Sequence, residues 1–280
     1  MGFFSAFVVL DPQGAVALSE RGLMFHAVGF MLIVAAAVYF LLFFFAYKYR
    51  AGNKKAKYLP NWEHGKLEEL VWWVIPLEIV LVLGAMTWSS THQLDPRRPL
   101  GDQAPLVVQV VALDWKWLFI YPEQDVATIN YLALPVGKSV KFELTADAPM
   151  NSFWIPQLGG QIYAMTGMTT NLNLVADHEG SYEGSSANYS GEGFGQMKFN
   201  VIAMKQDTFD AWVLATKHDA AQSLLGFNLY KQLARPSVIS IPPSYGAVEP
   251  GLFGRIVGQF MDPTMPGMQG DTIGTAGMHM

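Results

Sequence analysis

The 280-residue chain is 51% hydrophobic and only 15% charged, well below the quarter typical of soluble domains, which argues against a wholly soluble protein. Lys and Arg number 18 against 23 Asp and Glu, a net charge of -5, so no basic footprint is offered to nucleic acid. Cysteine is absent. That excludes disulfides, zinc-finger and iron–sulfur ligation, a thiol nucleophile, a lipoprotein anchor and any copper site built on thiolate.

The chain opens with a short apolar stretch, Phe3–Leu10, that lacks the positive flank of a secretory signal and reads as a signal remnant or a disordered end. From Leu23 to Tyr47 the sequence is apolar with His26 as its one ionisable group before the tyrosines. A second run, Leu70 to Thr91, carries Trp72, Trp73 and Trp88 near its ends, where amphipathic rings favour the headgroup layer. At about 1.5 Å per residue each run spans a bilayer core of roughly 30 Å, and neither keeps the polar face of a soluble core helix. Between them, Lys48, Arg50, Lys54, Lys55, Lys57 and Lys66 face Glu63 alone, a net of +5, which assigns the loop to the cytoplasm. From His92 onward 11 Lys/Arg stand against 17 Asp/Glu, a net of -6. Both termini and all that follows the hairpin are expected on the outer, periplasmic side.

From Leu106 the texture changes to β-branched and aromatic runs broken by Gly and Pro. Leu106–Pro122, Val126–Pro135, Ser139–Asp147, Asn151–Pro156, Thr169–Asp177 and Met197–Ala203 read as strands of an all-β sandwich or barrel. Helix-like segments, DTFDAWVLATKHDAAQSLLGFNLYKQLA and EPGLFGRIVGQFMD, follow on either side of a Pro-rich connector. The expected organisation is an outer segment 1–22, a hairpin 23–92 with cytoplasmic loop 48–66, a β-domain 105–203, a helical extension 204–262 and a disordered tail 263–280.

Few residues invite chemistry. The histidines are scattered, with no pair at helical spacing, and Ser185, Ser186 and Ser190 lack the elbow that surrounds a serine nucleophile. The glycines of GEGFG follow a loop rather than a strand entering a helix. Met265, Met268, Met278, His279 and Met280 offer soft copper donors in the tail; a plain flexible tail is the blander reading. Glu78 lies within the second apolar run, where a carboxylate is costly unless paired or hydrated. Glu68 and Glu69 sit at the helix start, where the dipole favours negative charge, and read equally as solvated residues.

The order of parts, with DWKWLFIYPE, NSFWIPQLGGQIYAMTGM and SYEGSSANYSGEGFGQMKF, resembles subunit II of the haem–copper respiratory oxidases, most closely the quinol-oxidase, cytochrome bo-type branch. The resemblance spans about residues 10–262 and is strongest from Leu113 to Ala203. It implies a membrane α plus all-β fold: a two-helix transmembrane hairpin followed by a cupredoxin-like Greek-key β-barrel with C-terminal helices.

In the cytochrome c oxidase branch two Cys, a Glu, a His and a Met form a dicopper loop, with a second His upstream. On this chain those positions fall on Ser186, Ser190, Asn188, Phe194 and Met197, and the upstream one on Asn151. Only the methionine matches, so a dicopper centre is not expected, and the loop is expected to hold together by hydrogen bonds and packing of Phe194 and Tyr189. The resemblance then implies a quinol donor rather than a soluble cytochrome c, no cofactor in this chain, and haems, copper and ubiquinol in a large partner subunit I. Trp115, at the family's electron-transfer position, and Trp117 read as packing aromatics. Glu69, in E-x-x-W-x-x-x-P, matches a glutamate at the mouth of a proton-uptake channel; Glu78 receives no family role. A membrane-anchored cupredoxin-like module that handles copper outside an oxidase is the alternative.

Overall fold

A computed structural model describes residues 8–55, 65–101, 103–219, 224–239 and 241–261. Lys57, Glu63, His64, most of the N-terminal apolar stretch and the methionine tail lie outside them.

Helix α1 runs over Ala15–Lys48 and α2 over Lys66–Gln93, each enclosing its apolar run and extending past it. Both are apolar on all sides, and apart from Ala17 neither buries a side chain within this chain; Trp73 and Trp88 are 75% and 72% exposed. Such surfaces suit lipid and neighbouring membrane helices rather than water. The two helices are long and apolar enough to cross a membrane.

The segments at the end of the hairpin away from its connecting loop are fastened to the β-domain. The Gln13 N–H donates to the Gln157 carbonyl (2.7 Å), Asp177 N–H to Gln13 (2.8 Å), and both Asn173 nitrogens to the Pro96 carbonyl. Gly14 is required there, since a Cβ would lie 2.3 Å from the Val175 carbonyl oxygen.

Among the described residues eleven strands form two facing sheets, a flattened form of the expected barrel. The first has the order β11 (Ser244–Tyr245), β3 (Val126–Ile129), β2 (Lys116–Tyr121), β1 (Leu106–Leu113), β5 (Ser139–Asp147) and β8 (Thr170–Val175). The second runs β4 (Tyr131–Pro135), β10 (Lys198–Met204), β9 (Gly180–Ser186), β6 (Asn151–Trp154) and β7 (Ile162–Ala164). The parallel pairs β1–β5 and β4–β10 require crossovers between sheets, whereas short turns join the antiparallel pairs β1–β2 and β2–β3.

Two expected strands divide. Leu106–Pro122 folds as the hairpin β1–β2 around Asp114 and Trp115, the latter at φ 66°. Val126–Pro135 changes sheet at Asn130 (φ 51°), a residue type that tolerates left-handed backbone. Its Oδ1 accepts from Trp117 N–H (2.8 Å) while its own N–H donates to the Trp117 carbonyl (2.9 Å).

Two cores result. Between the sheets Trp117, Phe119, Phe142, Phe153 and Phe199 pack together, with Phe153 and Phe199 stacked at 5.1 Å. On the outer face of the first sheet, Val111, Leu113, Leu118, Ile120, Ala127 and Ile129 are covered by Leu225, Tyr230, Tyr245, Leu252, Phe253, Ile256 and Val257. Burial on both faces explains why β2 reads as an unbroken apolar run instead of an alternating one.

The C-terminal layer is built from α3 (Gln206–Asp219), α4 (Phe227–Leu233) and α5 (Leu252–Gly258). The helix-like segment of residues 207–234 is interrupted because Leu225 leaves helical geometry to bridge Val248. Gly226 then starts α4, whose Phe227 N–H is taken by the Glu249 carboxylate at 2.8 Å. That bond, followed by the Arg255 guanidinium, holds the Glu249 carboxyl below its ordinary range.

Candidate functional site: the loop end of the β-domain

β6, the end of β9, the loop 187–197 and the β1–β2 turn converge at one end of the sandwich. Asn151 opens β6 and Ser186 closes β9, strands that pair directly through Phe153 and Ser186. Both side chains are buried, and the Ser186 hydroxyl donates to Asn151 Oδ1 at 2.9 Å. The Asn151 amide donates back to the Pro149 carbonyl (2.7 Å), and Asn188 Nδ2 reaches the Met150 carbonyl (2.8 Å). Ser190 Oγ lies 3.9 Å from the thioether of fully buried Met197, whose carbonyl receives the Ser186 N–H (3.1 Å). Phe194 lies edge-on to Tyr189 at 5.6 Å.

The loop is roofed by Trp115. Its indole Nε1 donates to the Ser190 carbonyl (3.2 Å), and its ring lies so close over Gly193 that a Cβ there would be 2.4 Å from Cδ2. Gly191, at φ 110°, makes the turn beneath the same ring. Trp117 points the other way, into the inter-sheet core, where its Nε1 has no hydrogen-bond partner among the described residues.

The six positions expected at the loop thus come together, but as hydroxyls, amides, a phenyl ring and a thioether whose polar atoms bond to one another. This donor set is neutral throughout and hard except for the methionine thioether, unlike the thiolates and imidazoles that a charge-sharing copper pair uses. Among the described residues no three His, Cys, Asp or Glu side chains converge as a metal cluster.

Beside this loop lies a group that the sequence reading missed. Lys116, fully buried, directs its ammonium to the Arg235 carbonyl and Ser237 Oγ, both at 2.7 Å, and more distantly to the Asp114 and Ser237 carbonyls at 3.4 Å. Burial lowers its pKa, and Asp114 partly restores it. Asp114 is itself raised, first by desolvation and against the pull of Lys116, with Asp147 adding repulsion. Asp147 accepts from the Tyr230 hydroxyl at 2.5 Å. A lysine inside an aromatic strand, D-W-K-W, was the available signal. It stands on the same face of β2 as Leu118 and Ile120, the face that the C-terminal layer covers.

Glu69 stands apart, half-buried in the first turn of α2, with its N–H on the Gly65 carbonyl (2.8 Å). Glu68 is exposed and folds back over Gly65.

The family described as COX aromatic rich motif matches residues 220–264, the stretch that supplies α4, β11 and α5. The cytochrome bo(3) ubiquinol oxidase subunit 2 of Pseudomonas aeruginosa is 47% identical over 254 residues, covering 90% of this chain and 76% of that one. The ubiquinol oxidase subunit 2 of Acetobacter aceti is 47% identical over 256 residues, 90% and 82% of the two chains. Among solved structures, the periplasmic domain of cytochrome oxidase subunit II from Bradyrhizobium japonicum covers 43% of this chain and 99% of its own, with 19% identity and a TM-score of 0.41.

Proposed function

The chain belongs to the family of ubiquinol oxidase subunit 2, and on that premise we propose that it is the non-metal subunit II of a proton-pumping cytochrome bo-type complex carrying electrons from ubiquinol to O2. The observation that carries this reading is the loop end of the β-domain. Serine and asparagine close it through the Ser186–Asn151 bond at the positions where the copper-bearing branch needs thiolate and imidazole. Without those ligands the domain has no electron acceptor to offer a soluble cytochrome, so electrons come from a membrane quinol. The partner is a large subunit I that holds the haems, the copper and the ubiquinol.

In this reading the basic loop between α1 and α2 faces the cytoplasm and the β-domain the periplasm, in the bacterial inner membrane. Glu69 is then a carboxylate at the cytoplasmic surface that collects protons and passes them to a water chain in subunit I. The β-domain and its C-terminal layer are structural, docking the subunit on the outer side.

Purification in mild detergent tests the assignment. Co-migration with a haem-bearing large subunit, quinol oxidase activity and no copper bound to this chain are expected; two copper ions on this chain would refute it. Glu69→Gln in the assembled complex is expected to slow turnover, and unchanged oxidase activity would remove the proton-uptake role.

A further inference from the structure

Glu78 has no role in the reading above, and its placement is unusual. It stands eight residues inside the apolar run that begins at Leu70, a depth of about 12 Å at 1.5 Å per residue, and about 20 Å from the run's other end at Thr91 by the same rise. A glutamate side chain is too short to regain water from there. Among the described residues no hydrogen-bond or ion-pair partner reaches it.

The hairpin itself does not supply one. The half-buried positions of α2 are Glu69, Ile79, Leu83, Met86 and Ser90, a stripe that continues to Leu94. Leu83, Met86, Ser90 and Leu94 also line the cavity shared with Leu23 and Ala27 of α1, which identifies the stripe as the face turned to α1. At 100° per residue Glu78 stands about 120° from the centre of that stripe, off the face turned to α1. Its own face reads Val71, Val74, Glu78, Leu81, Ala85, all exposed. The spacing alternates three and four, the repeat of a helix–helix seam; it avoids the bulky Trp72 and Trp73 and meets Trp88 only at its C-terminal end. Valine and alanine there let a second helix approach closely.

We propose that this face of α2 docks a transmembrane helix of another subunit of the complex, and that this helix presents a hydrogen-bond donor or basic side chain to Glu78. The commitment to a donor-bearing helix, rather than lipid, follows from charge complementarity. Hydrocarbon leaves the carboxylate uncompensated, and intramembrane ionisable groups face protein partners. The inference rests on the chain being part of a multisubunit complex.

A hydrophobic carbodiimide tests it, because dicyclohexylcarbodiimide adds to a lipid-exposed carboxylic acid to give an N-acylurea that is located by peptide mass. The reagent is applied to the purified complex and to the chain separated from its partners in detergent. Glu78 is expected to react at least tenfold more slowly in the complex. Equal labelling of the two states would show a lipid-facing residue and overturn the proposal. In parallel, Glu78→Leu is expected to lower retention of one partner subunit several-fold while Glu78→Gln, which still accepts a hydrogen bond, retains it; full retention by Glu78→Leu counts against the proposal. Quinol oxidase activity on the same preparation separates the two claims. An inactive complex refutes the functional reading alone, whereas an active one with unprotected Glu78 refutes only the docking face.

Discussion

Replacing Lys116 by methionine keeps the apolar stem and removes the ammonium that ties the C-terminal layer to β2. Two of its bonds are short, to the Arg235 carbonyl and Ser237 Oγ at 2.7 Å each. Charge-assisted bonds contribute about 1.5–3 kcal/mol apiece, so the gross loss is about 3–6 kcal/mol. Burying the ammonium offsets part of this, in keeping with its lowered pKa, and a net loss of about 3 kcal/mol is expected. At about 1.4 kcal/mol per tenfold, local opening of the layer rises roughly a hundredfold.

Hydrogen exchange on the purified complex reads this directly. Amides in residues 225–239, 244–257 and strands β2 and β3 should exchange faster, because Leu118, Ile120, Ala127 and Ile129 lose their cover, while β6 and β9 keep their protection. Exchange within threefold of wild type across the layer would refute the reasoning. The pH dependence has a definite sign. The folded pKa lies below the ordinary 10.5, so between the two values the unfolded chain binds more protons and stability rises with pH. Lys116→Met should remove that component.

The loop end and the tyrosines give three further tests. Ser186→Ala leaves buried Asn151 Oδ1 without its donor and should lower stability by about 1–3 kcal/mol, read as a lower unfolding midpoint of the β-domain; an unchanged midpoint would mean the network contributes nothing. Gly193→Ala forces a methyl against the Trp115 ring and should cost about 1–3 kcal/mol, with a shift in tryptophan emission as the indole leaves Ser190; an unshifted spectrum would contradict the roofed geometry. Burial pushes the hydroxyls of Tyr121 and Tyr230 well above 10.0, Tyr230 being raised further by Asp147. Their contribution is therefore full below pH 10 and is lost as pH rises above it. Tyr230→Phe should make alkaline unfolding shallower, and an identical alkaline slope would exclude this tyrosine as a cause.

The elements that the sequence displayed plainly are those whose burial follows one period. Leu23–Tyr47 and Leu70–Thr91 read as single helices because their apolar residues cover every side of α1 and α2, and β5 and β10 carry enough β-branched and aromatic residues to read as strands. β9 is missing from the expected strands for a physical reason. Gly184 pairs with Phe199 across the ladder, and a Cβ on it would lie 2.0 Å from the Phe199 ring. The strand must be glycine and serine there to admit the large ring stacked on Phe153, and those residues erase the usual strand signal. The turn at Trp115 was hidden by the opposite effect, since an aromatic at positive φ is disfavoured locally and is held there by its lid over Gly193 and Ser190.

The candidate site was legible to the same extent as its chemistry is local. Asn151, Ser186, Asn188, Ser190, Phe194 and Met197 were placed by the family resemblance, in one loop and one upstream strand, and they do meet. Lys116, Asp114, Asp147, Tyr230 and Ser237 could not be placed, because their meeting depends on residues more than 80 positions apart being brought to one edge by the C-terminal layer. That layer also accounts for how the loop keeps its form. Here the Ser186–Asn151 bond and the Trp115 lid hold the loop from within, while Lys116, next to Trp115 in the chain, anchors the same turn to the C-terminal segment from behind. The turn that shapes the loop is therefore fixed on both sides, and loosening either the lid or the lysine should raise exchange at the other, a coupling that a Gly193→Ala, Lys116→Met double mutant would measure as a departure from additivity.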